Sequence, residues 1–138
     1  MSVNIFTYGS LMFAPVWQQV VKGQYQAIPS VLADHQRLAV LNEDYPVAIH
    51  QPAHHIQGVL YLGVNADDIA RLDRFEGEYY DRISTQVTDA QGCVYSADVY
   101  RLNAQFQAIL APVDWDVEQF KQQGLQRFLQ QYKGFLSI

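Results

Sequence analysis

The sequence lacks the features that serve several large classes of protein. It has one cysteine, Cys93, which excludes an internal disulfide and a zinc site made of several cysteines. Nine Lys and Arg residues stand against 14 Asp and Glu residues, for a formal net charge of −5. Because the basic residues are spread along the chain and form no cationic patch, we expect no nucleic acid partner. A small molecule or another protein is the expected partner.

Long hydrophobic runs are also missing. No apolar run approaches the roughly 20 residues that cross a bilayer, so we expect no membrane partner. The N-terminus has neither the charged region nor the apolar region of a secretory signal peptide, and we expect a cytoplasmic location. The 138 residues can build one sizeable core but are too few for two ordinary domains, which predicts a single domain over residues 1–138.

The patterns that are present predict an α+β fold. Strands are predicted at 3–8, 36–41, 47–49, 58–64, 80–88 and 94–102, with the last two joined as a hairpin by residues 89–92. One helix is predicted to start near Ala14, a second runs from an N-cap at Asn65 to a stop at Gly77, and a third is capped by Asp114. An apolar stripe marks that last helix, at Val117, Phe120, Leu125, Phe128 and Leu129. Because the links between strands are short, a mixed or antiparallel sheet of five or six strands, curled into a barrel, is favoured over a parallel doubly wound sheet.

Several reactive residue types have an ordinary structural explanation. The histidines show no metal-binding spacing, and all four are expected in surface loops: His35, His50, His54 and His55. Cys93 lies in a hairpin turn without a basic neighbour that would favour the thiolate, so it is expected to be inert. Ser10 has neither nucleophile-elbow spacing nor an indicated base, which argues against a serine nucleophile.

The loop Tyr8-Gly9-Ser10-Leu11 follows the first predicted strand. Its glycine lets backbone N–H groups approach a ligand closely, and consecutive N–H groups in such a turn can bind a carboxylate or a developing oxyanion. A Gly-Ser turn after a strand is often only a turn, and no phosphate-binding pattern follows this one. The loop alone therefore leaves both a binding site and a plain turn open.

Acidic residues gather where the second helix ends and the next strand begins, within residues 73–82. The partial negative charge of a helix C-terminus disfavours a carboxylate by roughly 0.3–1 kcal/mol, so stability alone does not explain them. Asp73 and the helix end would both raise the pKa of Glu76, and a carboxyl group with a raised pKa is a good proton shuttle. The alternative is that the neighbouring acids are solvated and form ion pairs, with Glu78 and Asp81 facing Arg74 and Arg82.

These two signals occur together as they do in a known family. The loop Tyr8-Gly9-Ser10-Leu11 after the first strand and the run Leu72-Asp73-x-Phe75-Glu76-Gly77-x-x-Tyr80-x-Arg82 resemble the gamma-glutamylcyclotransferase-like (AIG2-like) family. The resemblance covers nearly the whole chain, since it extends through Tyr45-Pro46-Val47, Gly58-Val59-Leu60-Tyr61, and Trp115 with Phe120. It implies a small mixed α+β barrel of about five to seven strands with packed helices.

The resemblance also implies an activity and a site. Such enzymes cyclise a γ-glutamyl amine or amino acid to 5-oxoproline and release the amine, without a metal, another cofactor or a covalent nucleophile. By position, Glu76 would be the general acid/base, and further residues would line the substrate site: Tyr8, Gly9, Ser10, Leu11, Tyr80 and Trp115. The partner would be a small γ-glutamyl molecule, whose leaving group stays open between an amino acid, a simple amine and the ε-amine of lysine. A non-catalytic ligand-binding module and a protein-interaction subunit remain as alternatives.

Overall fold

Six β-strands form the framework of the fold in the computed structural model, which describes residues 2–138. They are β1 (Ser2–Thr7), β2 (Ala27–Val40), β3 (Pro46–Asn65), β4 (Tyr80–Asp89), β5 (Val94–Leu102) and β6 (Leu110–Asp114). Their order is β3-β1-β5-β4-β2-β6, and β2 also pairs with β3, so the first five strands close into a ring. The β1–β5 pair is parallel and the other pairs are antiparallel. The predicted mixed α+β barrel is confirmed.

The helices pack against the barrel, and the second of them carries the local signals that the sequence predicted. They are α1 (Ala14–Val20), α2 (Ala66–Glu76), α3 (Val117–Gln119) and α4 (Leu125–Gln131), with a π-helical turn at Phe120–Gly124 and 3₁₀ turns at Ser10–Met12, Ala104–Ile109 and Lys133–Ser137. The Asn65 side chain caps α2 by accepting from the Asp68 amide, and Gly77 ends the helix with a φ of 81°. Within residues 2–138, no helix is long and apolar enough to cross a membrane.

Strands β2 and β3 form a hairpin much longer than predicted. The predicted strands at 47–49 and 58–64 and the segment between them are one strand of 20 residues, which pairs with the 14 residues of β2. Asp34 and Ala53 have positive φ angles of 57° and 68°, and the pairing shifts register between Ala33 and His35. This irregularity breaks the side-chain alternation, so the residues around Pro52 do not show the alternating pattern of a strand.

Contrary to the prediction, the histidines do not lie in loops, although three of them are exposed at the surface: His50, His54 and His55. All four lie in β2 or β3, and His35 is buried, with only 5% of its surface exposed. The Nδ1 of His35 bonds to the Ala33 carbonyl oxygen at 2.9 Å, whereas its Nε2 has no hydrogen-bond partner within residues 2–138. Burial lowers the pKa of His35, Arg101 and His50 lower it further, and the Ala33 contact and Asp34 act in the opposite direction.

We therefore expect a stability loss in mild acid that depends on His35. As the pH falls through about 6.5, the unfolded chain binds a proton that the folded imidazole does not bind, and the free energy of unfolding decreases until the pH reaches the folded pKa. Urea unfolding is measured at pH 7.5 and pH 5.5. The free energy of unfolding should decrease less between these two pH values for His35→Gln than for the wild type. The control His54→Gln, at an exposed strand position, should match the wild type. An unchanged pH dependence in His35→Gln would contradict this account.

The C-terminal helical segment begins later than predicted. Asp114 is the last residue of β6, where its carboxylate accepts from Gln36 Nε2, so its prediction as the helix cap is wrong. The cap is Asp116, whose side chain accepts from the Gln119 amide. Phe120 and Phe128 are the buried residues of the predicted apolar stripe, and they pack in the same core cluster as Phe75 of α2. The last helices are therefore attached to the end of α2.

Asp68 fixes the beginning of α2 to the chain that follows α1. Its buried carboxylate accepts from the amides of Lys22 and Gly23, each at 2.9 Å, and from the Tyr25 hydroxyl. Hydrogen bonds to an ionised carboxylate are among the stronger ones in proteins. Together with the core contacts of Leu72 and Phe75, they hold α2 in place against the barrel.

Candidate active site

A narrow cleft lies where β1 ends, between the loop of residues 8–11 and the C-terminal end of α2. Its walls come from four parts of the chain: the end of β1 with this loop, the start of β3, the α2–β4 junction with β5, and the C-terminal helices. The lining residues are Phe6, Thr7, Tyr8, Gly9, Ser10, Leu11, Tyr45, Pro46, Phe75, Glu76, Tyr80, Tyr100, Phe128 and Tyr132.

The loop of residues 8–11 turns the chain sharply at the edge of this cleft. A Cβ atom on Gly9 would lie 2.8 Å from the ring of Pro46, so the close approach of β3 requires glycine here. The 3₁₀ turn that follows begins at Ser10, with the Met12 amide bonded to the Gly9 carbonyl. The first amides of such a turn have no acceptor inside it and can bind an external anion. Arg37 Nη1 donates to the Tyr8 carbonyl at 2.8 Å, and this bond fixes the loop to β2.

Glu76 is the last residue of α2 and brings a carboxyl group to the lining of the cleft. Although the residue as a whole is only partly buried, desolvation of its carboxyl group is the largest cause that raises the pKa, to about 8. The negative charge of Asp73, one turn earlier, raises it further. The carboxyl group can therefore both bind and release a proton close to neutral pH, as the acidic stretch predicted.

Four tyrosines around Glu76 have hydroxyl groups already bonded to the protein. Tyr8 donates to the Tyr100 carbonyl, Tyr80 to the Pro46 carbonyl, and Tyr100 to the Asp73 carboxylate, while Tyr132 donates to the carbonyls of Phe75 and Glu76. Burial is the main cause that raises the pKa of each of these hydroxyls, so all four stay neutral donors. They give the cleft a fixed wall.

Three polar side-chain groups in the cleft are left over. Within residues 2–138, the Glu76 carboxyl, the Ser10 hydroxyl and the Tyr45 hydroxyl have no protein hydrogen-bond partner at their side-chain oxygens. Ser10 and Tyr45 are each 8% exposed, and both line the cleft. Buried polar groups normally have partners, and groups left free in a cleft are available to a ligand.

The structure brings together most of the residues that the sequence singled out. Glu76, Tyr80 and the whole 8–11 loop line the cleft. Trp115, predicted as a pocket wall, does not line it, because its Nε1 donates to the Asp44 carbonyl at 2.8 Å and Arg37 lies 5.4 Å from its ring centre. These two contacts turn the indole toward β2 and the turn before β3.

The acids near Glu76 are not paired as the alternative interpretation predicted. Arg82 forms ion pairs with Asp73 at 2.9 Å and with Asp98 at 2.6 Å. Asp81 instead accepts from the Asn103 side chain, and Arg74 Nε donates to the Ser137 carbonyl. Arg82 is thus the cationic partner of Asp73, which lies one turn before Glu76.

Sequence reasoning missed the aromatic residues that complete the cleft, among them Tyr45, Tyr100, Phe128 and Tyr132. Tyr45 lies within the Tyr45-Pro46-Val47 segment that carried the resemblance, so that segment held a usable signal. Phe128 and Tyr132 lie more than 50 residues after Glu76, and no local pattern connects them with it.

A family model described as "Gamma-glutamyl cyclotransferase, AIG2-like" matches residues 5–117, which include the 8–11 loop, Glu76 and Tyr80. The chain belongs to this family. The match ends before Phe128 and Tyr132, so the wall formed by the C-terminal helices comes from chain outside the matched range.

Similar proteins and structures agree with this assignment. The chain is 28% identical to AIG2-like protein D of Arabidopsis thaliana over 134 residues, covering 96% of this chain and 88% of that protein. It is 22% identical to Protein AIG2 C of the same plant, covering 98% of this chain and 82% of that protein. Among solved structures, one from Arabidopsis thaliana has a TM-score of 0.74 at 20% identity, covering 99% of this chain and 82% of the other. A structure named gamma-glutamyl cyclotransferase has a TM-score of 0.65 at 16% identity, covering 75% of this chain and 68% of the other.

Proposed function

We propose that this protein cyclises a γ-glutamyl amine or amino acid to 5-oxoproline and releases the amine, with Glu76 as the general acid/base. The observation that carries the proposal is the Glu76 carboxyl group, which is free of protein hydrogen bonds within residues 2–138 and lines the same cleft as the 8–11 loop. Its pKa of about 8 suits a group that must accept and return protons near neutral pH. Membership of the gamma-glutamyl cyclotransferase, AIG2-like family supports the choice of reaction.

The reaction needs few groups because the nucleophile is part of the substrate. The α-amine of the γ-glutamyl group attacks its own γ-carbonyl carbon, a C–N bond forms, and the bond to the leaving nitrogen breaks. Of the three protons on the starting α-ammonium, one stays on the lactam nitrogen and two pass to the released amine, which leaves as an ammonium ion. A carboxylate that first accepts a proton and then returns it can carry both transfers, typically contributing about 10²–10⁴-fold.

The cleft would supply the remaining acceleration by holding the bent substrate. Well-oriented intramolecular reactions reach effective molarities of about 10⁵–10⁸ M, so a fixed wall around the glutamyl half is a large part of the catalysis. The aromatic rings and the bonded tyrosine hydroxyls supply such a wall. The amides at the start of the Ser10–Met12 turn, which have no acceptor inside the turn, would bind either the substrate α-carboxylate or the tetrahedral oxyanion.

Product analysis tests this proposal. The purified protein is incubated with γ-glutamylalanine, γ-glutamylethylamide and γ-glutamyl-ε-lysine, and both 5-oxoproline and free glutamate are quantified. We expect 5-oxoproline and the free amine in equal amounts from at least one substrate. Free glutamate as the product would indicate hydrolysis and contradict the proposal. Binding without any product would favour the ligand-binding module, and neither binding nor product would favour a protein-interaction subunit.

A further inference from the structure

Tyr45 differs from the other tyrosines of the cleft because its hydroxyl makes no bond to the protein within residues 2–138. The residue is 8% exposed and lies directly before β3. Its ring packs edge-on against Tyr132 at 5.3 Å and Phe128 at 6.3 Å, and at a tilt against Tyr80 at 6.5 Å. These contacts fix the ring, so the hydroxyl has a defined position without a partner.

Tyr45 also lies at the junction of two spaces. Besides the cleft, it lines a wider and more polar groove formed by the turn before β3, the α2–β4 junction and the C-terminal helices. Glu76 lines both spaces as well. Besides burial, the groups that act on the Tyr45 hydroxyl are Glu43, Tyr79 and Glu76, all of which line this groove.

The proposed cyclisation decides what would occupy the groove. Glu76 must reach both the attacking nitrogen and the leaving nitrogen, while the glutamyl half fills the narrow cleft. The substituent of the leaving amine therefore extends from Glu76 into the adjoining groove and passes Tyr45. Two cations of that groove, Arg74 and Lys133, form no ion pair within residues 2–138, whereas Arg127 pairs with Asp44. Acids line the same groove, among them Glu43 and Glu78, so the free phenol donor, and not net charge, favours an oxygen atom on the substituent.

We propose that Tyr45 is a specificity-determining residue whose hydroxyl donates a hydrogen bond to an oxygen atom on the leaving amine, next to its nitrogen. This inference rests on the proposed function and deepens it, because it assigns the groove to the leaving group. Burial raises the pKa of the Tyr45 hydroxyl, which keeps it a neutral donor. The site would thus prefer an amine that carries a carboxylate over the same amine without one.

A matched pair of substrates tests the assignment. γ-Glutamylalanine and γ-glutamylethylamide differ only in the carboxylate of the leaving amine. We expect Tyr45→Phe to lower kcat/KM for γ-glutamylalanine by roughly 10- to 100-fold, which is the usual effect of losing a hydrogen bond to a charged group. The kcat/KM for γ-glutamylethylamide should change by less than about twofold. The control is Tyr95→Phe, whose hydroxyl bonds Asp89 at the β4–β5 turn, and it should change neither value.

The other outcomes separate this inference from the proposed function. Equal losses on both substrates, or no loss on either, would overturn the role of Tyr45 while cyclisation stands. Binding of both compounds to the wild type and to Tyr45→Phe is measured by calorimetry in parallel. The wild type could form no 5-oxoproline and yet bind γ-glutamylalanine more tightly than γ-glutamylethylamide, with Tyr45→Phe losing this preference. In that case the assignment of Tyr45 stands and the proposed function fails. Absence of both binding and turnover in the wild type overturns both.

Discussion

Glu76→Gln is expected to lower kcat/KM for 5-oxoproline formation by about 10²–10⁴-fold, the usual contribution of a general acid/base. Glutamine keeps the volume and polarity of the side chain but cannot accept and return a proton. Because the Glu76 side chain makes no hydrogen bond within residues 2–138, the substitution breaks no protein contact that holds the fold. Activity is measured with the best substrate of the panel, and folding is checked by circular dichroism and urea unfolding.

The same substitution should also alter the pH dependence of stability. Burial raises the pKa of Glu76 from 4.5 to about 8, so between these values the unfolded chain is ionised at this position while the folded chain holds a proton. The wild type should therefore lose stability relative to Glu76→Gln as the pH rises through this range. Glu118→Gln, on the exposed surface of α3, is the control and should retain both the activity and the pH dependence of the wild type. Full activity in Glu76→Gln would sink the proposed mechanism.

Gly58→Ala is expected to destabilise the protein by about 3 kcal/mol or more, the upper end of the cost of overpacking. A Cβ atom at this position would lie 2.1 Å from the Thr7 carbonyl oxygen and 2.7 Å from Phe6 Cζ. Relief would require β1 and β3 to separate, because the closest atom belongs to the backbone. The loop of residues 8–11 begins directly after Thr7, so the substitution should also disturb the cleft.

Gly63→Ala is the matched control for Gly58→Ala because it lies in the same strand. Nothing lies within 4 Å of a Cβ atom there, but the φ of 67° makes any other residue cost about 1–2 kcal/mol. Urea unfolding of both variants separates steric overlap from backbone strain. A Gly58→Ala protein no less stable than Gly63→Ala would show that β1 and β3 do not approach as closely as described.

The elements that the sequence predicted well are those fixed by neighbouring residues. Asn65 and Gly77 bound α2 through a side-chain cap and a positive φ, and both are local effects. Asp89 organises the β4–β5 turn by accepting from the amides of Gln91 and Cys93, which are two and four residues away. The sequence did not predict the full length of β2 and β3. That length depends on pairing between the two strands across the irregularity at Asp34 and Ala53, and the alternation within either strand does not show it.

The candidate site likewise contains residues that local motifs predict and residues that only tertiary packing places. Glu76, Tyr80 and the 8–11 loop belong to short motifs, and the structure brings them into one cleft. Tyr132 reaches the end of α2 only through the packing of the C-terminal helices, where its hydroxyl bonds the carbonyls of Phe75 and Glu76. The contrary case is Trp115, whose hydrogen bond to the Asp44 carbonyl depends on a residue 71 positions away. Contacts over such separations are fixed by tertiary packing and leave no periodic trace in the sequence.

The central claim is that this cleft raises the pKa of the Glu76 carboxyl group toward neutral pH, so that the group can both accept and return a proton. A carbon-13 NMR titration of the glutamate side-chain carboxyls tests it directly, with the spectrum of Glu76→Gln used to assign the resonance. The account predicts that the Glu76 signal titrates with a pKa of about 8. Titration near the ordinary glutamate value of about 4.5 would contradict it.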